Sequence, residues 1–290
     1  MDQSQYAASP KPKPQGGNEK TPEKRGINRR FVYLGIIIVI AAIALILVYM
    51  NESSGANLIH YDNQLVTQPQ MSALKRISGN NTLANMVGPG IVSPYPSHIS
   101  STNVTMVDGK PVVIYVGADF CPYCALTRWG MIIALMRFGN FTNLHYMTSS
   151  ASDVFSNTPT FTFYNSTYTS SIIDFDEAEI LTNVYPYQTL QQTNQLQNSA
   201  IANYDPGESI PFIDFGNKSV QIGVPPSISP GFIRGKNWGQ IITNISDANS
   251  TISQAILGQA NIFTAEICAI DNYTPQNVCS QPYVSKILGS

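Results

Sequence analysis

The longest apolar stretch of the chain lies at residues 31–50, where twenty consecutive residues carry no charge. As a helix, such a segment rises about 30 Å, which matches the hydrocarbon core of a bilayer. A cleaved signal peptide is the competing interpretation, but its apolar region spans only about 7–15 residues, and here thirty residues precede the stretch. The pattern therefore predicts one transmembrane helix over residues 31–50.

Shorter apolar patterns follow and indicate a globular domain. Residues 111–117 form a continuous run rich in β-branched residues, typical of a strand buried on both faces. Residues 125–138 are apolar nearly all round, which indicates a helix largely covered by protein. The order of elements predicts an α/β fold in which helices flank both faces of a mixed sheet. Further strands are predicted at residues 144–148, 160–164 and 171–175, a hairpin at 210–215 and 219–223, and helices at 187–204 and 238–262.

Charged side chains are scarce and unevenly placed. They make up 12% of the residues, about half the usual share, and no basic stripe suited to nucleic acid is present, so no nucleic-acid partner is expected. Residues 1–30 carry seven Lys or Arg against three Asp or Glu, whereas the remaining chain carries nine against fifteen. Because basic residues flank membrane helices on the cytoplasmic side, we expect a single-pass cell-membrane protein with a cytoplasmic N-terminus and residues 51–290 outside.

Nine N-x-Ser/Thr glycosylation acceptors all lie after the predicted transmembrane helix. Glycans and neutral polar side chains keep a surface soluble without carboxylates, which acid would discharge. The composition therefore indicates a cell-surface glycoprotein, and we hypothesise that its exterior is acidic.

The domain organisation follows from these patterns. Residues 1–30 are predicted to form a disordered cytoplasmic tail, because proline, glycine and charge leave them no face to bury. Residues 51–103 are predicted to form an extracellular stalk leading into the domain, and residues 104–290 the domain itself. Within that domain we predict an insertion over about 149–209 and a C-terminal extension over 263–290.

Four cysteines lie outside the predicted membrane span, and two of them have the C-x-x-C spacing. With Pro122 as the first helical residue, Cys121 becomes the N-cap, and its sulfur faces the free N–H groups and the positive end of the helix dipole. These groups stabilise a thiolate, which is the reactive form of cysteine. Cys124 points back toward Cys121 and can close a small, readily exchanged ring.

Each cysteine pair has a purely structural alternative. Cys121 and Cys124 can form a structural disulfide or half of a zinc site, although no second C-x-x-C or His pair completes four ligands, so no metal is expected. Cys268 and Cys279 are predicted to form a disulfide that fastens the C-terminal extension to the last helix. Arg128 is predicted to be a solvated charge.

A buried strand that runs into Phe-Cys-Pro-Tyr-Cys and a helix, with an Ile-Pro-led hairpin downstream, resembles the thioredoxin fold. The Pro122-Tyr123 dipeptide is the one found in glutaredoxins. The resemblance implies a cis proline beside the reactive cysteine, preceded by a residue whose backbone holds a substrate peptide. Pro211 after Ile210 fits this role and is followed by both a hairpin and the final helix, whereas Pro159 is the alternative.

Two positions depart from thioredoxins. Tyr115 stands where thioredoxins bury an acid that assists proton transfer, and Gly117 stands where they have a tryptophan. Asp119 is the nearest acid in sequence. The whole chain, with its single N-terminal span and its Cys268 to Cys279 ending, resembles DUF929, an archaeal family of membrane-anchored proteins with a domain of unknown function.

The resemblance and the residues together predict a membrane-anchored extracytoplasmic thiol-disulfide oxidoreductase that acts on exported proteins. Cys121 would attack, Cys124 would resolve the mixed disulfide, and Pro211 would shape the groove in which Ile210, Pro122 and Tyr123 meet the substrate. The chemistry needs no bound cofactor, and the expected partners are exported protein thiols and disulfides, a membrane redox partner and the bilayer. A non-catalytic cell-surface glycoprotein with the same fold and a soft-metal carrier that uses both thiolates are the alternatives.

Overall fold

The computed structural model describes residues 33, 36–43, 58–101 and 103–289. The chain divides into two compact units, Met1–Leu47 and Val48–Ser290. In the first unit the described residues are helical and exposed, while the predicted tail and most of the predicted transmembrane helix lie outside the described residues. Across the described ranges, no helix combines the length and the apolar character needed to cross a bilayer.

The second unit contains both strands and helices. The strands are β1 (Ser97–His98), β2 (Met106–Val107), β3 (Lys110–Gly117), β4 (Asn140–Thr142), β5 (His145–Thr148), β6 (Pro159–Thr162), β7 (Thr167–Thr169), β8 (Asp174–Glu179), β9 (Phe212–Phe215) and β10 (Ser219–Ile222). The helices are α1 (Gln68–Ser78), α2 (Asn81–Val87), α3 (Pro122–Leu135), α4 (Gln195–Tyr204), α5 (Trp238–Ile245), α6 (Thr251–Ile270), α7 (Gln276–Cys279) and α8 (Pro282–Leu288). Short 3-10 turns lie at Ile59–Tyr61 and Pro230–Phe232.

A six-stranded mixed sheet organises this unit around β3. β3 pairs in parallel with β8 and antiparallel with β9, and β9 continues into an antiparallel hairpin with β10. The short strands β1 and β2 pair antiparallel with β10 and β3, respectively. The predicted central strand, the hairpin and the mixed α/β class are confirmed.

Helices cover both faces of the sheet, as the alternation of side chains along β3 requires. Val113 and Tyr115 belong to the larger core, which contains the buried faces of α3 and α6. Val112, Ile114 and Val116 belong to a smaller core closed by α4. Because both faces of β3 are buried, its sequence is a continuous apolar run instead of an alternating one.

The two long helices α3 and α6 pack against each other at close range. A Cβ atom at Gly130 of α3 would lie 2.9 Å from Oε1 of Gln259 on α6, so a larger side chain there would displace the Gln259 side chain. Trp129 and Trp238 are buried in the same core. The apolar character of α3 on all sides therefore reflects its position between the sheet and α6.

The strand beside β3 comes from the segment that the sequence pattern assigns to an insertion. β8 lies within residues 149–209, yet it pairs with β3 over six residues, from Val112 with Asp174 to Gly117 with Glu179. β5, the first predicted strand after α3, pairs instead with β6 in a separate two-stranded sheet, and β4 pairs with β7 in another. The prediction of an insertion is wrong for β8, which pairs with the central strand. Its acidic sequence is typical of an exposed strand and does not indicate this position.

The predicted helix over residues 238–262 is two helices. Ser250 interrupts it by accepting hydrogen bonds from the N–H groups of Ile252 and Ser253 on its Oγ, so that it caps α6. Asp247 Oδ1 accepts the N–H of Asn249 in the turn between the helices. Local side-chain bonds of this kind compete with helix continuation, and a pattern of apolar positions does not register them.

The predicted stalk is part of the domain wherever it is described. Leu74, Ile77, Leu83 and Val87 of α1 and α2 are buried in the larger core. The segment also touches α6 closely, because a Cβ at Gly258 would lie 2.6 Å from the carbonyl oxygen of Pro89. Residues 58–101 therefore pack as part of the globular unit and do not form an extended stalk.

The C-terminal extension returns to α6. Cys268, near the end of α6, is bonded to Cys279 at the end of α7, with 5.5 Å between their Cα atoms. α8 follows and buries Tyr283, Val284 and Ile287 against the core. The predicted disulfide therefore closes a short loop and ties the last two helices to the domain.

Removal of this disulfide should lower stability without changing the reactivity of the C-x-x-C thiols. A bond that closes a loop of this length stabilises the folded state by about 2.5–3 kcal/mol in the loop-entropy description. We expect a Cys268→Ala/Cys279→Ala variant to melt about 5–12 °C lower by calorimetry, with unchanged alkylation kinetics at Cys121. A folded variant that has lost disulfide exchange would instead make this pair a second redox centre.

Candidate active site

Cys121 lies at the junction of the central strand and α3. The chain leaves β3, turns through Ala118 to Phe120 and enters α3 with Pro122 as its first residue and Cys121 as the N-cap. Cys121 Sγ accepts the backbone N–H of Cys124 at 3.1 Å. The sulfur therefore takes the place that a capping oxygen occupies at most helix starts, and it satisfies one of the free N–H groups there.

The two cysteines differ in burial and acidity. Both are free thiols, with Cys121 5% exposed and Cys124 fully buried. The hydrogen bond that the Cys124 thiol donates to Cys121 lowers the pKa of Cys121, and the Cys124 backbone N–H and the charge of Arg128 add to this lowering against the effect of burial. Burial raises the pKa of Cys124 well above its usual range. The arrangement therefore favours a thiolate at Cys121 and a neutral thiol at Cys124.

Pro211 lies at the same end of the sheet as Cys121. The Ile210-Pro211 peptide bond is cis, whereas the alternative at Thr158-Pro159 is not. β9 begins one residue later with Phe212, which pairs with Val116 near the end of β3. The sheet register therefore brings Pro211 level with the residues that lead into Cys121, and its role in substrate contact stays a prediction.

The other residues predicted to meet the substrate differ in accessibility. Pro122 is buried beneath the helix start, whereas the Tyr123 ring is 41% exposed. Tyr123 makes an edge contact with Phe155 at 5.9 Å between ring centres. Phe120, directly before Cys121 in the sequence, stacks on Tyr187 with ring centres 4.5 Å apart. Aromatic residues that pack on other rings thus stand on either side of Cys121 in the sequence.

Arg128 is not a solvated charge, contrary to the prediction, because its side chain is fully buried. Its Nε donates to Glu179 Oε1 and its Nη2 to Glu179 Oε2, both at 2.6 Å. Nη2 also donates to the carbonyl oxygen of Ala118 at 2.7 Å and lies 3.4 Å from Asp119 Oδ1. A buried guanidinium needs such partners, because an unpaired one would be strongly destabilising.

The buried ion pair shifts the acidity of its own members. Burial alone would lower the pKa of Arg128, but the charge of Glu179 outweighs this effect and keeps the guanidinium protonated. Burial raises the pKa of Glu179, and Arg128 opposes that rise. Burial and the neighbouring Glu179 together raise the pKa of Asp119 to about 7. The charged state of Asp119 therefore changes near neutral pH.

The two departures from thioredoxins are linked in the structure. Tyr115 is fully buried, and burial raises the pKa of its hydroxyl well above the usual range. Its ring lies over Gly117, where a Cβ atom would come within 2.6 Å of Tyr115 Cζ. Glycine at 117 therefore makes room for tyrosine at 115, and the position of the thioredoxin acid carries a neutral group.

A pocket of about 360 Å³ includes Asp119 in its lining. Its lining includes Asn63, His145 and Asn183, and Asn183 Nδ2 donates to Asp62 Oδ2 at 2.7 Å. Burial raises the pKa of Asp62 to about 6. Several carboxyl groups near the C-x-x-C turn thus titrate between weakly acidic and neutral pH.

Sequence reasoning missed the ion pair for two different reasons. Arg128 had a signal, since it stands four residues after Cys124 in a helix that is apolar on almost every side. Glu179 had none, because it belongs to an acidic run that is typical of an exposed strand. Among the described residues, no group of three or more His, Cys, Asp or Glu is arranged to hold a metal ion.

Alkylation should distinguish the two thiols. We expect iodoacetamide to modify Cys121 first in the reduced protein, because its pKa is lowered and that of Cys124 is raised. Mass spectrometry of the labelled peptides should show Cys121 reactivity persisting below pH 6. A Cys121→Ser variant should label slowly at Cys124 over the same range. Equal labelling of both thiols, with a midpoint near the usual value of about 8.5, would contradict this assignment.

Buried carboxyl groups should make the domain more stable in acid than at neutral pH. Burial raises the pKa to about 7 for Asp119 and Glu177 and to about 6 for Asp62 and Asp214. The folded state then binds more protons than the unfolded state above pH 4, so stability is fully present below about pH 4 and is lost as the pH rises through 6–7.

Calorimetry between pH 4 and pH 8 tests this dependence. A loss of about 2 kcal/mol corresponds to about 4–8 °C in a domain of this size. An Asp119→Asn/Glu177→Gln variant should show a flatter profile, because two of the responsible groups no longer titrate. A melting temperature that rises from pH 4 to pH 7 would show that other groups dominate.

Comparison with known proteins gives one match. The family model described as Domain of unknown function (DUF929) matches residues 95–203, whereas no curated protein and no solved structure matches the chain. The matched segment includes Cys121, Cys124, Arg128 and Glu179 and ends before Pro211. The resemblance to this family that the sequence indicates is confirmed. Over this segment, which carries both thiols and their buried ion pair, the chain is similar to the DUF929 family.

Proposed function

We propose that the protein is a thiol-disulfide oxidoreductase of thioredoxin-like fold, anchored in the cell membrane and acting on exported proteins. The observation that carries the proposal is the position of Cys121 as N-cap of α3, with its sulfur accepting the Cys124 N–H at 3.1 Å. A sulfur in this position is favoured as a thiolate by the free N–H groups and the helix dipole.

The arrangement of elements supports the thioredoxin-like part of the proposal. A buried strand runs directly into the C-x-x-C helix, and a cis Ile210-Pro211 bond precedes the hairpin of β9 and β10. The long helix α6 follows that hairpin. These are the features on which the sequence resemblance depends.

The proposed reaction moves two electrons between the cysteine pair and a substrate disulfide. The Cys121 thiolate attacks one sulfur of the substrate, a mixed disulfide forms, and the other substrate sulfur leaves as a thiolate that takes up a proton. Cys124 then loses its proton and attacks Cys121, which forms the internal disulfide and releases the second substrate thiolate. The same steps in reverse transfer the disulfide to a reduced substrate.

The burial of Cys124 suits the second step. A fully buried thiol with a raised pKa is protected from external disulfides, and its nearest electrophile is the sulfur of Cys121. Because Cys121 is only 5% exposed, the substrate must bring an accessible sulfur close to the start of α3.

The proposed membrane location rests on the sequence. Residues 31–50 carry no charge over a length that suits a bilayer core, and the basic residues Arg29 and Arg30 stand directly before them. In this arrangement the domain lies outside the cell, where disulfides form and persist.

Mixed-disulfide trapping tests the proposed function. A Cys124→Ser variant should accumulate mixed disulfides with exported proteins, because the resolving thiol is missing, whereas Cys121→Ser should accumulate none. The wild-type pair should also equilibrate with a dithiol buffer at a potential of about −120 to −270 mV. Non-reducing electrophoresis and peptide mass spectrometry provide the two readouts.

The control is a Cys268→Ala/Cys279→Ala variant, which should exchange like the wild type. A Cys121–Cys124 bond that resists reduction throughout that range, with no trapped partner, would favour the non-catalytic glycoprotein. Stoichiometric Cu(I) uptake without disulfide exchange would favour the soft-metal carrier.

A further inference from the structure

The buried Arg128 side chain links the reactive turn to the sheet through one shared acceptor. Arg128 Nη2 donates to the carbonyl oxygen of Ala118 at 2.7 Å, and the backbone N–H of Cys121 donates to the same oxygen at 3.2 Å. Ala118 directly follows β3. The guanidinium is therefore two hydrogen bonds away from the backbone of the attacking residue.

Glu179 fixes the guanidinium from the neighbouring strand. The bidentate pair, with both distances at 2.6 Å, presents Arg128 in one orientation, since a planar fork meets a carboxylate in a single geometry. The backbone that carries this carboxylate is also restrained, because the Glu179 N–H donates to Gln191 Oε1 at 2.7 Å. Position and direction of the buried cation are thus set by β8.

Arg128 is the cation that acts on both thiols within the described domain. Its charge lowers the pKa of Cys121 and opposes the rise in the pKa of Cys124. The groups that face this region from the surrounding elements are Tyr115 of β3, Asp119 of the turn, Glu177 and Glu179 of β8, and Asp62 beyond Asp119. Of these groups, all except the tyrosine are carboxyl groups with raised pKa values, which lose their negative charge as the pH falls, whereas the arginine keeps its positive charge.

We propose that Arg128, held by Glu179, is a positioning residue that fixes the Cys121 turn against the sheet and supplies the positive charge that keeps Cys121 reactive as a thiolate in acid. The inference rests on the proposed function only for its biological purpose, since thiolate formation is measurable without a substrate. In this proposal a buried cation controls the acidity of Cys121, and Tyr115 stands at the position where thioredoxins bury an acid.

Two substitutions that change the charge in opposite directions separate electrostatic effects from structural effects at this site. Arg128→Gln removes the cation and should raise the midpoint of Cys121 alkylation by about one pH unit, which slows labelling about tenfold below that midpoint. Glu179→Gln removes the compensating anion and should shift the midpoint downward. If the pair had only a structural role, both substitutions would shift the midpoint of Cys121 alkylation in the same direction, or neither would shift it.

The matched control is Arg137→Gln. Arg137 lies just after the end of α3, at the end opposite to the cysteines. It donates to Thr264 Oγ1 at 2.6 Å and to Asn261 Oδ1 at 2.8 Å. We expect this variant to melt at lower temperature while its Cys121 midpoint stays at the wild-type value. Stability loss alone would then be excluded as the cause of the shift in Arg128→Gln.

A double Arg128→Gln/Glu179→Gln variant covers the case in which Arg128→Gln alone folds poorly, because it removes both members of the buried ion pair. Its Cys121 midpoint should lie above that of Glu179→Gln, because these two variants differ only in the cation. Equal midpoints in the folded double variant and in Glu179→Gln overturn the proposal. A wild-type protein that fails to exchange disulfides, but whose midpoint responds to Arg128→Gln as described, would overturn the proposed function and leave this inference standing.

Discussion

One buried guanidinium joins three parts of the molecule that are distant in sequence. Arg128 lies on the helix that carries the cysteines, Ala118 directly follows the central strand, and Glu179 ends the strand beside it. Taking both charges out of water costs several kcal/mol, which only the close bidentate geometry and the additional hydrogen bonds offset. The start of α3 is consequently held where the two parallel strands end, and this fixes the reactive turn.

The rest of the domain provides the surroundings that such a pair needs. β3 is covered on one face by α3 and α6 and on the other by α4, so water does not reach the ion pair through the sheet. Gly130 lets α6 approach closely, and α1 and α2, which precede β1, bury side chains in the larger core. A rigid, dry interior under a partly accessible sulfur strengthens every electrostatic interaction that acts on the thiol.

Local chemistry was readable from the sequence, whereas distant pairing was not. The apolar run of β3, the capping position of Cys121 and the hairpin after Pro211 each depend on neighbouring residues, and each was predicted. β8 was misassigned because its acidic residues resemble an exposed strand, although Glu179 faces a buried arginine 51 positions away. The end of α5 depends on side-chain bonds at Asp247 and Ser250 that override the apolar stripe. The sequence therefore identified the C-x-x-C cysteines but not the buried charges that lie near them.

The ion pair also constrains how the sequence can change over time. Loss of either Arg128 or Glu179 alone leaves an uncompensated buried charge, which is strongly destabilising, whereas replacement of both by apolar residues of similar volume is often neutral. Both positions lie within residues 95–203, the segment shared with the DUF929 family. In related chains the two positions should accordingly vary together, so that an arginine at one is accompanied by an acid at the other and each disappears only with its partner.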